Sequence, residues 1–128
     1  MKRRKGFTLA ELLVVVAIIA VLVAISIPIF TSQLHKAEVA TDWANIRSYY
    51  SEIQTDYITT GKYNPKVTFS YETKEYVFHE ITYLNGNKVK LKAGYFAITQ
   101  NGNKGYQIVY RCEKGHTDCT LTLNVSNS

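Results

Sequence analysis

An unbroken apolar run from Leu12 to Ile25, with a single carboxylate, Glu11, just before it, limits what this chain can become. From Phe7 to Phe30, Glu11 is the only charged residue. As a helix these residues rise about 1.5 Å each and reach roughly 36 Å, enough to cross a bilayer core of about 30 Å. Lys2, Arg3, Arg4 and Lys5 precede the run and no basic residue follows closely, which predicts a cytoplasmic N-terminus with the remainder outside. A cleavable secretory signal has an apolar part of about 7–15 residues and a small-x-small cleavage site. Here the run is longer, and Ser26-Ile27-Pro28-Ile29-Phe30 offers no such site. A plain signal anchor fits the length but leaves Glu11 unexplained. A charge at the centre of a membrane helix costs roughly 2.5–3.5 kcal/mol on insertion scales, and a carboxylate one turn inside costs that or less. An acid in this position is therefore read as functional, with a partner to be found.

The basic balance belongs to the same segment. Of fifteen basic residues four lie at positions 2–5, so the formal charge of +5 falls to +1 for the rest of the chain. The charge therefore says little about the partners of the folded body. The 128 residues hold about one domain, whose small core needs a staple or a partner. Two cysteines, Cys112 and Cys119, are present. Behind an exporting segment, this pair favours a disulfide over free thiols or a metal, since His116 alone lies between them as a further ligand.

Beyond Phe30 the helix is expected to continue. Val39, Trp43, Ile46, Tyr50, Ile53 and Tyr57 recur at steps of four and three and form one stripe, while Asp42, Asn45, Ser48 and Glu52 suit a wetter face. Core packing explains this stripe better than a cofactor site. Gly61 suits a C-cap and Pro65 forbids continuation. Pro28, inside the apolar half, cannot donate to the carbonyl of Ala24, which predicts a kink. After Lys66 the period changes to two. Tyr106, Ile108, Tyr110 and Cys112 share one strand face, as do Cys119, Leu121, Leu123 and Val125, and again Val89, Leu91 and Ala93. A further strand is expected between Lys74 and Leu84, with hairpin turns at Asn85-Gly86 and Asn101-Gly102. The fold class is α+β: a long N-terminal helix packed by its C-terminal half on a small antiparallel sheet of about four strands. Cys112 and Cys119 fall on the inward parity of two successive strands.

Gly6-Phe7-Thr8-Leu9-Ala10-Glu11-Leu12, after a short basic leader and before an apolar helix, resembles the prepilin signature of type IV pilins and their pseudopilin relatives. The likeness is close over residues 1–30 and architectural beyond. It implies a leader at 1–6, a transmembrane or filament-core half-helix at 7–30, and a head at 31–128. The head divides into half-helix 31–60, loop 61–71 and sheet 72–126. It implies cleavage between Gly6 and Phe7 by a membrane-bound prepilin peptidase and N-methylation of Phe7. It further implies that Glu11 meets the charged N-terminus of a neighbouring subunit, and that Pro28 bends the helix. Within one helix Phe7 and Glu11 at i,i+4 also share a face, so contacts within and between subunits both stay open. The implied partners are further copies in a homopolymer, the peptidase and methyltransferase, the assembly machinery, and membrane lipid before assembly. The implied location is the cytoplasmic membrane for the single-pass precursor and then an extracellular filament serving adhesion or motility. Related pilins often carry a disulfide-closed loop near the C-terminus, matched here by the loop between Cys112 and Cys119.

No other chemistry stands out. His35, His79 and His116 lack metal spacing, no Gly-rich phosphate loop follows a strand, and no nucleophile has a recognisable base, so neither cofactor nor catalytic residue is expected. Lys88, Lys90 and Lys92 form a basic row that suits nucleic-acid phosphates and equally a solvated strand face that resists edge pairing. We adopt the second reading. Alternatives within the resemblance are a secretion pseudopilin and a competence pilin taking part in DNA uptake. From another class, the rival is a monomeric membrane-anchored binding domain that keeps residues 1–6 and does not need Glu11.

Overall fold

The structure, a computed structural model, describes residues 8–115 and 117–124. It divides into two units, Met1–Lys36 and Ala37–Ser128. One helix, α1 (Leu9–Thr60), belongs to both. Thr8 starts it: the Thr8 carbonyl accepts the N–H of Leu12 at 3.1 Å, and its hydroxyl accepts the N–H of Glu11 at 3.1 Å. That is an N-cap, which satisfies donors that the first turn leaves open. The helix ends where Gly61 adopts φ 73° and returns its N–H to Tyr57 O at 2.7 Å.

In the second unit, α1 buries Val39, Asp42, Ile46, Tyr49 and Ile53. Val39, Ile46 and Ile53 are the expected stripe residues. Trp43, Tyr50 and Tyr57 are only half-buried, and Asp42 and Tyr49 take the deeper places. The wet-face reading of Asp42 is therefore wrong, because hydropathy alone cannot register a carboxylate whose donors come from elsewhere in the chain. Asp42 is 0 % exposed. Its Oδ1 accepts the Lys92 N–H at 2.8 Å, and its Oδ2 accepts the Ala93 N–H at 2.8 Å and the Tyr110 hydroxyl at 2.7 Å.

Among the described residues the sheet region holds five strands in two antiparallel sheets, where a single sheet of about four was expected. β1 (Glu80–Thr82) pairs with β2 (Lys88–Lys90). β3 (Gly94–Gln100), β4 (Tyr106–Cys112) and β5 (Leu121–Leu123) form a three-stranded meander in that order. A bridge from Phe78 to Phe96 links the two, with N–H to O distances of 2.7 and 2.9 Å. The run expected from Lys88 to Ala93 breaks after Lys90 because Asp42 takes the N–H groups of Lys92 and Ala93. The strand expected over 74–84 shrinks to Glu80–Thr82, since Tyr76 sits at φ 63° and interrupts the extended chain. The β1–β2 turn carries Gly86 at φ 94°, a backbone state that glycine adopts without side-chain cost.

Alternation along β4 is as expected: Tyr106, Ile108, Tyr110 and Cys112 are buried and face a core shared with Ile46, Ile53, Ile81, Phe96 and Ile98. Gly94 lies so close to Arg111 O and the Tyr110 ring that a methyl there would collide with both. The turn after β3 is tied down from α1. Gln54 Nε2 donates to Lys104 O at 2.8 Å, Gln54 Oε1 accepts the Tyr106 N–H at 2.9 Å, and the Tyr57 hydroxyl donates to Asn103 O at 3.2 Å.

Candidate assembly site

The first unit presents a hydrocarbon surface with one acid at its start. Every Leu, Val, Ile and Phe from Leu9 to Phe30 is exposed. Apolar patches on monomeric soluble proteins rarely exceed a few hundred Å², so this surface requires lipid or other protein around it. By length and composition α1 is able to cross a membrane, with a mean hydropathy of 3.2 over its most apolar window. Glu11 occupies the third helical position, after Thr8 as cap, so Thr8-Leu9-Ala10-Glu11 has the spacing of a capping box. That signal stands in the sequence, overlapping the longer motif. A helix N-terminus favours an anion by about 0.3–1 kcal/mol, which offsets only part of the roughly 2.5–3.5 kcal/mol scale for a charge in the membrane. The cap alone does not account for Glu11.

Gly6 and Phe7, the expected cleavage and methylation positions, lie outside the described residues, as does His116. Pro28 sits inside a helix assigned continuously from Leu9 to Thr60. On either side of it, the Ser26 hydroxyl donates to Leu22 O at 2.7 Å and the Thr31 hydroxyl to Ile27 O at 3.0 Å. These back-bonds satisfy polar groups within the helix and favour bending.

In the second unit Cys112 and Cys119 are bonded to each other, with Cα atoms 5.9 Å apart, and both are buried. Cys119 lies in a 3-10 turn (Thr117–Cys119) and not on the strand that alternation predicts. Trp43 Nε1 donates to Cys119 O at 3.0 Å and fastens the closed loop to α1. Closing so short a loop stabilises by about 2–3 kcal/mol on chain-entropy grounds. We expect the double variant Cys112→Ser/Cys119→Ser to lower the denaturant-derived stability of the head by that amount; an unchanged midpoint would show that the bridge contributes nothing. Among the described residues no cluster of three or more His, Cys, Asp or Glu suits a metal.

Two buried phenols are held neutral. Burial, with the charges of Tyr106 and Glu52 as lesser causes, pushes Tyr49 up to about 12. Burial, then the hydrogen bond and charge of Asp42, push Tyr110 upward too. The folded chain thus keeps protons that unfolded tyrosines lose near pH 10. Stability from these groups is complete below about pH 10 and is lost as pH rises towards 12. Thermal midpoints measured from pH 9 to 11.5 should fall steadily, with the phenolate absorbance of Tyr49 and Tyr110 appearing only as the head unfolds.

Residues 1–27 match a family model described as the prokaryotic N-terminal methylation motif. The type IV narrow pilus major component PilA5 of Thermus thermophilus is 48% identical over 52 residues, which are 38% of this chain and 45% of that protein. Fimbrial protein EcpB of Eikenella corrodens is 46% identical over 39 residues, 30% of this chain and 24% of that protein. The matches span less than half the length of these curated relatives. No solved structure matches the chain.

Proposed function

We propose that this chain, a type IV pilin-like protein with an N-terminal methylation motif, is a structural subunit that polymerises into a pilus filament. The observation that carries the proposal is the fully exposed apolar half of α1 with Glu11 in its first turn. Before assembly lipid covers that surface; in the filament neighbouring helices replace the lipid. A prepilin peptidase cuts between Gly6 and Phe7, a methyltransferase modifies Phe7, and the new amine pairs with Glu11. A carboxylate and an amine each lose water in an apolar environment, and pairing offsets part of that penalty. The unpaired acid is the costly state, so the helix favours a position beside a sister chain. Pro28 supplies the bend or local unwinding that close helix packing needs. The head, stapled by Cys112–Cys119, faces outward and serves adhesion or motility. Its work is mechanical, and its relatives are structural pilins.

Filaments sheared from native cells should contain this chain as a repeating component, recognised by antibodies to the head along their length. Recovery of the chain only as monomer in the membrane fraction would contradict the proposal.

A further inference from the structure

The head carries the dipeptide Asn-Gly at two turns, Asn85-Gly86 and Asn101-Gly102. In this dipeptide a main-chain nitrogen attacks the preceding side-chain amide with least obstruction, because glycine has no side chain in the way. The two copies have opposite surroundings.

Asn101 is only 5 % exposed. Its Nδ2, the group that has to leave, donates to Asn124 O at 2.8 Å. Its main chain is fastened as well: the Asn101 N–H donates to Gly105 O and its carbonyl accepts the Lys104 N–H, both at 2.8 Å. Gln54 and Tyr57 hold the same turn from α1.

Asn85 and Gly86 are both exposed. Nothing lies within 4 Å of the place where a Gly86 side chain would begin. Asn85 Oδ1 accepts the Asn87 N–H at 2.9 Å. That bond closes an Asx-turn, which brings the side-chain carbonyl forward along the main chain. It also polarises the carbonyl, since a donor aimed at the oxygen stabilises the charge that develops there when a nucleophile adds to the carbon. The Gly86 N–H donates to Tyr83 O at 2.9 Å, and this bond has to open first. It lies at the exposed tip of a hairpin of two three-residue strands, where local opening costs little.

We propose that Asn85 is a site of spontaneous deamidation with water as co-reactant, and that Asn101 is protected from it by the fold. The Gly86 nitrogen forms a bond to Asn85 Cγ and gives up its proton, and the amide leaves as ammonia, closing a succinimide. Water then opens the ring at either carbonyl and leaves an aspartate or an isoaspartate at position 85. Both products add one negative charge beside Lys88. The aspartate still accepts the Asn87 N–H, whereas the isoaspartate adds a carbon to the main chain and misaligns the Tyr83–Asn87 pair that closes the hairpin. The reaction is independent of the filament reading.

The test is peptide mapping by mass spectrometry of the full chain in detergent micelles, incubated at mildly alkaline pH in heavy-oxygen water. The Asn85 peptide should take up heavy oxygen, yield isoaspartate as well as aspartate, and react at least tenfold faster than the Asn101 peptide. In guanidinium, where the fold no longer protects Asn101, the two rates should converge. Asn85→Gln requires a larger ring, so its peptide should react at least tenfold more slowly while its thermal midpoint matches wild type. An unreacted Asn85, an Asn101 that reacts as fast in the folded chain, aspartate without isoaspartate, or an Asn85→Gln peptide that reacts at the wild-type rate would each overturn the proposal.

Discussion

Glu11→Val should insert into the membrane, leave the head folded, and yield few or no filaments. The substitution removes the one charge from the apolar half of α1, so it eases insertion. If the acid served the bilayer anchor alone, the variant would be neutral or improved. The expected loss of assembly by a factor of ten or more follows from the proposed pairing of Glu11 with the Phe7 amine of a neighbouring helix. Glu11→Gln, which keeps the shape, should be nearly as defective. The cap separates the two roles open to this residue. Thr8→Ala removes the hydroxyl that accepts the Glu11 N–H and costs about 1 kcal/mol of helix start. It should reduce filament yield far less than Glu11→Val does. Equal defects in both variants would reassign Glu11 to helix capping, and undiminished filaments from Glu11→Val would end the pairing argument. Yield is read by quantitative shearing and immunoblotting, with membrane levels of each variant as reference.

Asp42→Leu should be the most damaging single change in the head. It strands the N–H groups of Lys92 and Ala93 and the hydroxyl of Tyr110. Each donor left unpaired costs about 1–3 kcal/mol, so the three together cost roughly 3–9 kcal/mol against a typical domain stability of about 5–15 kcal/mol. For a unit of this size about 1 kcal/mol moves the midpoint by roughly 4–8 °C, so a fall of about 15 °C or more is expected. Asp42→Asn keeps one acceptor and should lose less. Adding Tyr110→Phe to Asp42→Leu removes one stranded group and should recover part of the loss. A midpoint within about 3 °C of wild type for Asp42→Leu would show that water or local rearrangement replaces the carboxylate. The motive for the arrangement is positional: Asp42 ties α1 to the point where β2 gives way to β3, and so fixes the branching of the two sheets.

The parts of this molecule governed by local pattern could be read directly. The apolar run, the Gly61 stop, the alternation of Tyr106 to Cys112 and the Asn-Gly turns each depend on neighbouring residues alone. The Gly6–Glu11 motif was legible for the same reason, since its meaning lies in spacing. What could not be read depends on partners distant in sequence. Asp42 scored as a surface residue because its three donors lie 50, 51 and 68 positions away. The end of the expected Lys88–Ala93 run at Lys90 follows from that same carboxylate. Tyr49 and Tyr50 are indistinguishable by helical period, and packing against Tyr83 and Phe96, with ring centroids at 5.6 and 6.4 Å, selects Tyr49. Cys119 was placed on a strand because alternation continued through it, whereas the chain there turns to meet Cys112. The Thr8 cap was visible as T-x-x-E but overlaps the longer motif, and one segment carries both signals.

Intact-mass measurement of the chain purified from its native membrane or filaments tests the central claim most directly, since the proposed pairing needs a free amine at Phe7. The account predicts a chain beginning at Phe7, without residues 1–6 and heavier by one methyl group. A mature chain that still begins at Met1, unmethylated, would contradict it.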